Sequence, residues 1–396
     1  MTTTEVRTTA VPYVPLTAMG FAAFVYVTFE IFTVGLITPM AADLGVPESH
    51  IGLLMSMYAG VVAVVTIPAM LACRRLDRRT LFLATLGFLL VGTILQATAT
   101  GYGQLVIARI AAALTHGVFW SLVGPMAARL APAGRTGTAV GLVSLGSTMA
   151  LVLGSPAATW LGGVIGWRGA TWALGLLAVA SVAVLVPTLP KLPPLAKDDH
   201  PSIEAVSKWG VPSLIVFLLL AVTASFVTYT YLGLIVSHTA GAELVPTGLT
   251  AFGVFGLVGV LLATRLVDRR MIRFNFSATV LFMVAAVLGI AAFSQLDGGP
   301  TLGSTALIFL GLAVCGVGYG ALPTVATTLF LHAGRNNQDV ASSLYVVTFQ
   351  VGIASGSAAG ATAVDAGQLP ATMWLMLVLA AAATATLAAW SRPLLR

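Results

Sequence analysis

What most limits the fold of this chain is a succession of long apolar runs almost free of charge. They occupy about 15–40, 51–72, 80–99, 103–128, 137–162 and 169–188, then 210–236, 247–264, 274–294, 302–331, 340–363 and 370–390. A helix needs roughly 20 apolar residues to cross a hydrocarbon layer about 30 Å thick. The chain is 58% hydrophobic and 8% charged, against about 25% charged in an ordinary soluble domain. Too little polar surface is left to cover a water-facing fold. The spacing predicts an all-α membrane protein of twelve transmembrane helices, in two six-helix bundles separated by the polar stretch 189–209.

The basic residues predict its orientation. When alternate loops are assigned to one side, every one of the 19 Lys and Arg residues falls there except Arg109 and Arg168. Short loops rich in Lys and Arg stay in the cytoplasm, so both termini and the 189–209 linker are expected there. The expected organisation is a cytoplasmic tail at 1–14, a bundle at 15–188, the linker, and a second bundle at 210–396. The net charge of +6 then reads as a topology signal, and no nucleic-acid partner is expected. Cys73 and Cys315 imply neither a disulfide nor a metal site. The first apolar run is too long for a signal peptide and is expected to remain as the first helix.

The two halves repeat. Ala72-Cys73-Arg74-Arg75-Leu76-Asp77-Arg78-Arg79 follows the second run, and Ala263-Thr264-Arg265-Leu266-Val267-Asp268-Arg269-Arg270 follows the eighth. Ala133-Gly134-Arg135 after the fourth recurs as Ala333-Gly334-Arg335 after the tenth. Matched motifs at matched positions indicate two parallel repeats, an arrangement that places a substrate site near the midplane between them.

Several stretches carry a family resemblance. Arg74 to Arg79, containing Asp77-Arg78, resembles the cytoplasmic signature between the second and third helices of the major facilitator superfamily. Ala108-Arg109-Ile110 resembles its fourth-helix signature. Gly146 through Gly154-Ser155-Pro156 to Gly162-Gly163 is similar to the fifth-helix motif of its antiporters. Thr28-Phe29-Glu30-Ile31-Phe32, His116-Gly117-Val118-Phe119-Trp120 and Gly166-Trp167-Arg168 narrow the resemblance to the drug/proton antiporter branch, arabinose and sugar efflux permease-like. The resemblance implies a multi-pass transporter of the cytoplasmic (inner) membrane. Its first, fourth, seventh and tenth helices would line the cavity.

Glu30 alone among 13 acidic residues falls inside an apolar run. A carboxylate there is costly unless paired or protonated, which is the behaviour required of a proton carrier; the alternative is a Glu locked in an interhelical hydrogen bond. Tyr26, one turn earlier, and Thr33 are candidates to bond the carboxyl. On the fourth helix Arg109 and His116 lie nearly two turns apart, with Trp120 a turn further. That stripe is expected to face Glu30, with Arg109 serving either the cavity or a backbone helix end. The second half offers no charge inside its runs, so Tyr229, Tyr231, Tyr319 and Gln350 are its cavity candidates.

Small residues recur every fourth position at Gly146, Ala150, Gly154, Ala158 and Gly162, and again at Gly352, Gly356 and Gly360. Gly52, Ser56 and Gly60 on the second helix, with Gly248, Gly253, Gly256 and Gly259 on the eighth, add to them. Such stripes allow close helix approach, and in the resembled fold these four helices meet across the halves. Asp77 is expected near the start of the eleventh helix around Asn337. A carboxylate is favoured at a helix N-terminus, which would make Asp77, with Arg74 and Arg78, a conformational latch.

The expected function is proton-coupled export of a small neutral or amphipathic solute, sugar-like or drug-like, by a monomer. A proton-independent facilitator or a symporter is the alternative. No His/Asp/Glu spacing suggests an enzyme, a metal or a cofactor, and no sizeable extramembrane domain suggests a receptor.

Overall fold

The computed structural model describes residues 11–132, 135–193, 210–333 and 338–394, and these are helical with no strand among them. The N-terminal half contains α1 (Tyr13–Glu30), α2 (Ile37–Leu44), α3 (Glu48–Ala72), α4 (Arg78–Ala97), α5 (Tyr102–Leu130), α6 (Thr136–Met149) and α7 (Ser155–Thr188). The C-terminal half contains α8 (Gly210–Tyr229), α9 (Leu232–Ala240), α10 (Val245–Ser294), α11 (Leu302–Ala333), α12 (Gln338–Asp365) and α13 (Ala371–Leu394). Among the described residues, 11 apolar helical stretches are long enough to cross a membrane. One of these, Thr138–Thr188, spans 51 residues and is broken at Gly166, whose φ of 75° and ψ of 159° lie outside the helical region. Glycine suits that turn because a Cβ is penalised at positive φ.

Two of the expected continuous runs are interrupted, and at corresponding places. The first run breaks into α1 and α2 across residues 31–36, and the seventh breaks into α8 and α9 at Thr230 and Tyr231. At the first break the helix tightens: Phe32 N bonds Phe29 O, Val34 N bonds Ile31 O, and Leu36 N bonds Thr33 O, as in a 3₁₀ turn. The ordinary acceptors of the next turn, Phe29 O and Glu30 O, are taken by Arg109 Nη1 at 2.7 and 3.1 Å. A side chain from another helix therefore ends α1, an event no local pattern encodes.

The fifth run also departs from a plain helix. A π turn at Ala150–Gly154 precedes α7. Pro156, with no N–H to offer the preceding turn, accounts for the wider loop there.

The four helices that carry the small-residue stripes meet across the halves as expected, α3 on α12 and α10 on the π turn and α7, while several of the glycines themselves face their own half. Gly146 lies against the backbone of Gly20, Gly154 against Thr28, and Gly162 against Leu36, so this stripe packs the fifth run on the broken first run of the same half. Gly352 and Gly356 likewise lie against Val222, Thr223 and Phe226 of α8. Among the glycines, the cross-half contacts are Gly253 against Leu151 and Val152, Gly52 against the Tyr231 ring, and Gly233 against Val34.

These cross-half contacts collect at one end. Ser49 donates to Asp365, Ser56 Oγ to Ala354 O at 2.6 Å, and Thr230 Oγ1 to Met55 S at 3.3 Å. Among the described residues, all hydrogen bonds joining the halves lie at the end opposite the Arg74–Arg79 loop. A cavity of about 410 Å³ also opens there between the two broken runs, lined by Thr38, Thr159, Trp160, Leu234 and Glu243 among others.

Candidate functional site

The candidate site forms where α1 ends. Glu30 is its last residue, placed by the Arg109 grip on the two terminal carbonyls. Arg109 is 0% exposed, and its guanidinium also lies 4.8 Å from the centre of the Phe29 ring. Its Nε and Nη2 have no hydrogen-bond partner among the described residues. The structure thus gives Arg109 the helix-end role.

His116 Nε2 approaches Glu30 Oε2 to 3.8 Å, with side-chain exposures of 2% and 13%. The other ring nitrogen, Nδ1, lies 2.9 Å from the hydroxyl of Tyr58 on α3. Tyr26 does not bond the Glu30 carboxyl as expected. Its hydroxyl lies 2.9 Å from Thr115 Oγ1 and donates to Thr85 O at 3.2 Å. Its ring stands edge-on to His116 at 5.4 Å. Trp120 follows on the same face of α5, 6.2 Å from the imidazole and half-buried.

The C-terminal half faces this cluster with rings. Tyr229 and Tyr319 lie 4.9 Å apart, each within 5.2 Å of Phe252. Glu30 lies within electrostatic reach of both tyrosines and of Tyr58. Gln350 on α12 is buried, and its side-chain oxygen has no partner among the described residues. Tyr231 is elsewhere: fully buried in the seam between halves, packed on Gly52 and Gly360, its hydroxyl donates to Ser357 O at 3.1 Å.

Tyr58 was not singled out from sequence. A tyrosine in an apolar run looks like packing, and the available signal was only that a buried phenol requires a polar partner.

At the basic loop, Asp77 caps α4, accepting from Thr80 N at 3.1 Å, and accepts from Leu192 N at 3.0 Å. Its partners are in its own half, Arg78 N donates to Leu192 O, and Asn337 lies outside the described residues. Losing this cap costs about 1 kcal/mol. Asp77→Ala is therefore expected to lower the thermal unfolding midpoint in detergent, and Asp77→Asn, which keeps an acceptor, to lower it less.

The Major Facilitator Superfamily pattern matches residues 19–357. This chain belongs to that superfamily. A relative from Mannheimia succiniciproducens, described as a probable sugar efflux transporter, is 31% identical over 353 residues, covering 88% of this chain and 87% of its own. The fold is similar to that of a bacterial homologue of the human lysosomal transporter Spinster, in an inward-facing and unoccupied conformation, with a TM-score of 0.77 at 16% identity and 98% of each chain covered. It is also similar to a nucleoside transporter, with a TM-score of 0.73 at 11% identity, covering 96% of this chain and 99% of the other. The protein is thus a membrane transporter, and the Glu30 cluster lies within the matched region.

Proposed function

We propose that the protein exports a small neutral or amphipathic solute, sugar-like in the first instance, in exchange for protons. It would act as a monomer in the cytoplasmic membrane, with twelve crossings and both termini in the cytoplasm. The observation that carries this reading is the position of Glu30. The carboxylate sits at the break of the first run, against His116, and within electrostatic reach of Tyr229 and Tyr319 on the opposite half. One titratable group can therefore respond to a solute and to the relative position of the halves.

The side chains around Glu30 suit such a solute. Trp120, Tyr229 and Tyr319 offer ring faces for the apolar side of a sugar, while Glu30 and Gln350 offer acceptors for its hydroxyls. The 31% identical relative supports the sugar class and the outward direction. Closure at the far end through Ser49, Ser56 and Thr230 supports a state open to the cytoplasm. On this reading Asp77, Arg74 and Arg78 latch the cytoplasmic side when it closes, Asp77 exchanging its Leu192 partner for the start of α12. The Gly146–Gly154–Pro156–Gly162 motif with its π turn keeps the fifth run seated on the first while the halves rock.

The test is uptake of labelled mono- and disaccharides into inverted membrane vesicles held acid inside. Concentrative uptake that collapses on adding a protonophore is expected. Flux that equilibrates without concentrating would replace the exchanger by a facilitator, and no flux for any solute in the panel would overturn the sugar class.

A further inference from the structure

We propose that Tyr58 is a positioning residue that holds His116 in one neutral tautomer, its hydrogen on Nε2, so that the imidazole presents a fixed N–H toward Glu30 and takes no proton during transport. This rests on Glu30 being the proton site.

The argument starts from hydroxyl satisfaction. Tyr58 is 1% exposed, and among the described residues its hydroxyl has one partner, His116 Nδ1 at 2.9 Å. If Nδ1 carried a hydrogen, the phenol would accept it and its own O–H would be buried with no acceptor, a costly and rare arrangement. With Tyr58 as donor, Nδ1 is bare. A neutral imidazole with a bare Nδ1 carries its hydrogen on Nε2, the nitrogen 3.8 Å from Glu30 Oε2. The rings of Tyr26 and Tyr58 stand edge-on to the imidazole at 5.4 and 5.2 Å, with interplanar angles of 73° and 82°. A flip of the ring, which would put Cδ2 where Nδ1 stands and so break the Tyr58 contact, has to turn between these two rings.

The other ionisable groups facing the pair leave this unchanged. Tyr26 on α1 is engaged with Thr115 and Thr85, and Arg109 on α5 with the carbonyls of Phe29 and Glu30. Tyr229 on α8 and Tyr319 on α11 lie within electrostatic reach of Glu30. None is hydrogen-bonded to the imidazole among the described residues. His116 therefore cannot relay a proton while Tyr58 holds Nδ1. The Nε2–H stands 3.8 Å from the carboxylate, so a small shift of the Glu30 side chain makes a hydrogen bond when it is deprotonated, whereas a protonated Glu30 must direct its own O–H elsewhere.

The test is ¹⁵N NMR of the full-length protein labelled at histidine, with the His116 signals assigned by their loss in His116→Gln. The wild type is expected to show a bare Nδ1 and a protonated Nε2 throughout the pH range over which transport responds. Tyr58→Phe is expected to lose this single pattern, and its transport to gain a second inflection with pH while solute affinity at the optimum stays within about twofold, the size of a lost contact away from the solute. A protonated Nδ1 in the wild type, an imidazolium appearing within that range, or an unchanged pattern in Tyr58→Phe would overturn the proposal. Should Tyr58→Phe fail to fold, the wild-type spectrum decides alone. A failure of the Glu30 reading shows separately, as retained coupling in Glu30→Gln.

Discussion

Arg109→Met is expected to abolish transport and to lower thermal stability markedly, although the substitution is apolar and close to isosteric along the stem. The guanidinium supplies the hydrogen bonds to Phe29 O and Glu30 O at the break between α1 and α2. Leaving a buried acceptor unmade costs about 1–3 kcal/mol. With Glu30 O stranded and Phe29 O left only its long bond from Phe32 N, α1 is expected either to extend through residues 31–36 or to fray. Either outcome swings Glu30 away from His116. Arg109→Lys should recover part of the stability and little of the transport, because the shorter lysine stem ends before the place of Nη1, the one nitrogen that makes both bonds. Unfolding midpoints in detergent and solute exchange in proteoliposomes read the two effects. Wild-type exchange in Arg109→Met would show that the break forms without the arginine.

Glu30→Gln carries the second large effect. The amide keeps the size of the side chain and mimics the protonated acid, so solute binding and passive exchange should survive. What should vanish is accumulation. Exchanging one proton for a neutral solute moves one charge, worth about 2.3 kcal/mol at 100 mV, and each pH unit adds about 1.4 kcal/mol. Together these approach ~3.7 kcal/mol, enough for a solute gradient of roughly 500-fold. In Glu30→Gln vesicles that ratio should fall to about one, the value for a carrier with no driving ion. Accumulation equal to wild type would remove Glu30 from the coupling step.

How much of this was legible in the sequence depends on how local each cause is. Helical runs follow from apolar length, and the kinship of the halves from motifs such as Asp77-Arg78-Arg79 and Asp268-Arg269-Arg270. Glu30 stood out because charge is expensive in an apolar run. The break after Glu30 was hidden, since Arg109 imposes it from a distant helix. The glycine stripes were visible as spacing, but spacing does not name a partner, and Gly146 packs on Gly20 of its own half. Tyr231 and Tyr229 are nearly adjacent in sequence. The helix break at Thr230 sends one into the seam and the other toward Glu30.

The account's central claim is that proton and solute share Glu30. Its most direct measurement is solute affinity as a function of pH, by calorimetry on purified wild type and Glu30→Gln. Protonation removes the acceptor that a solute hydroxyl uses, so wild-type affinity should fall as pH drops through the Glu30 titration, approaching tenfold per unit below it, the limit for one competing proton. Glu30→Gln should be flat across the same range. A wild-type affinity independent of pH, or a mutant that keeps the wild-type slope, would contradict it.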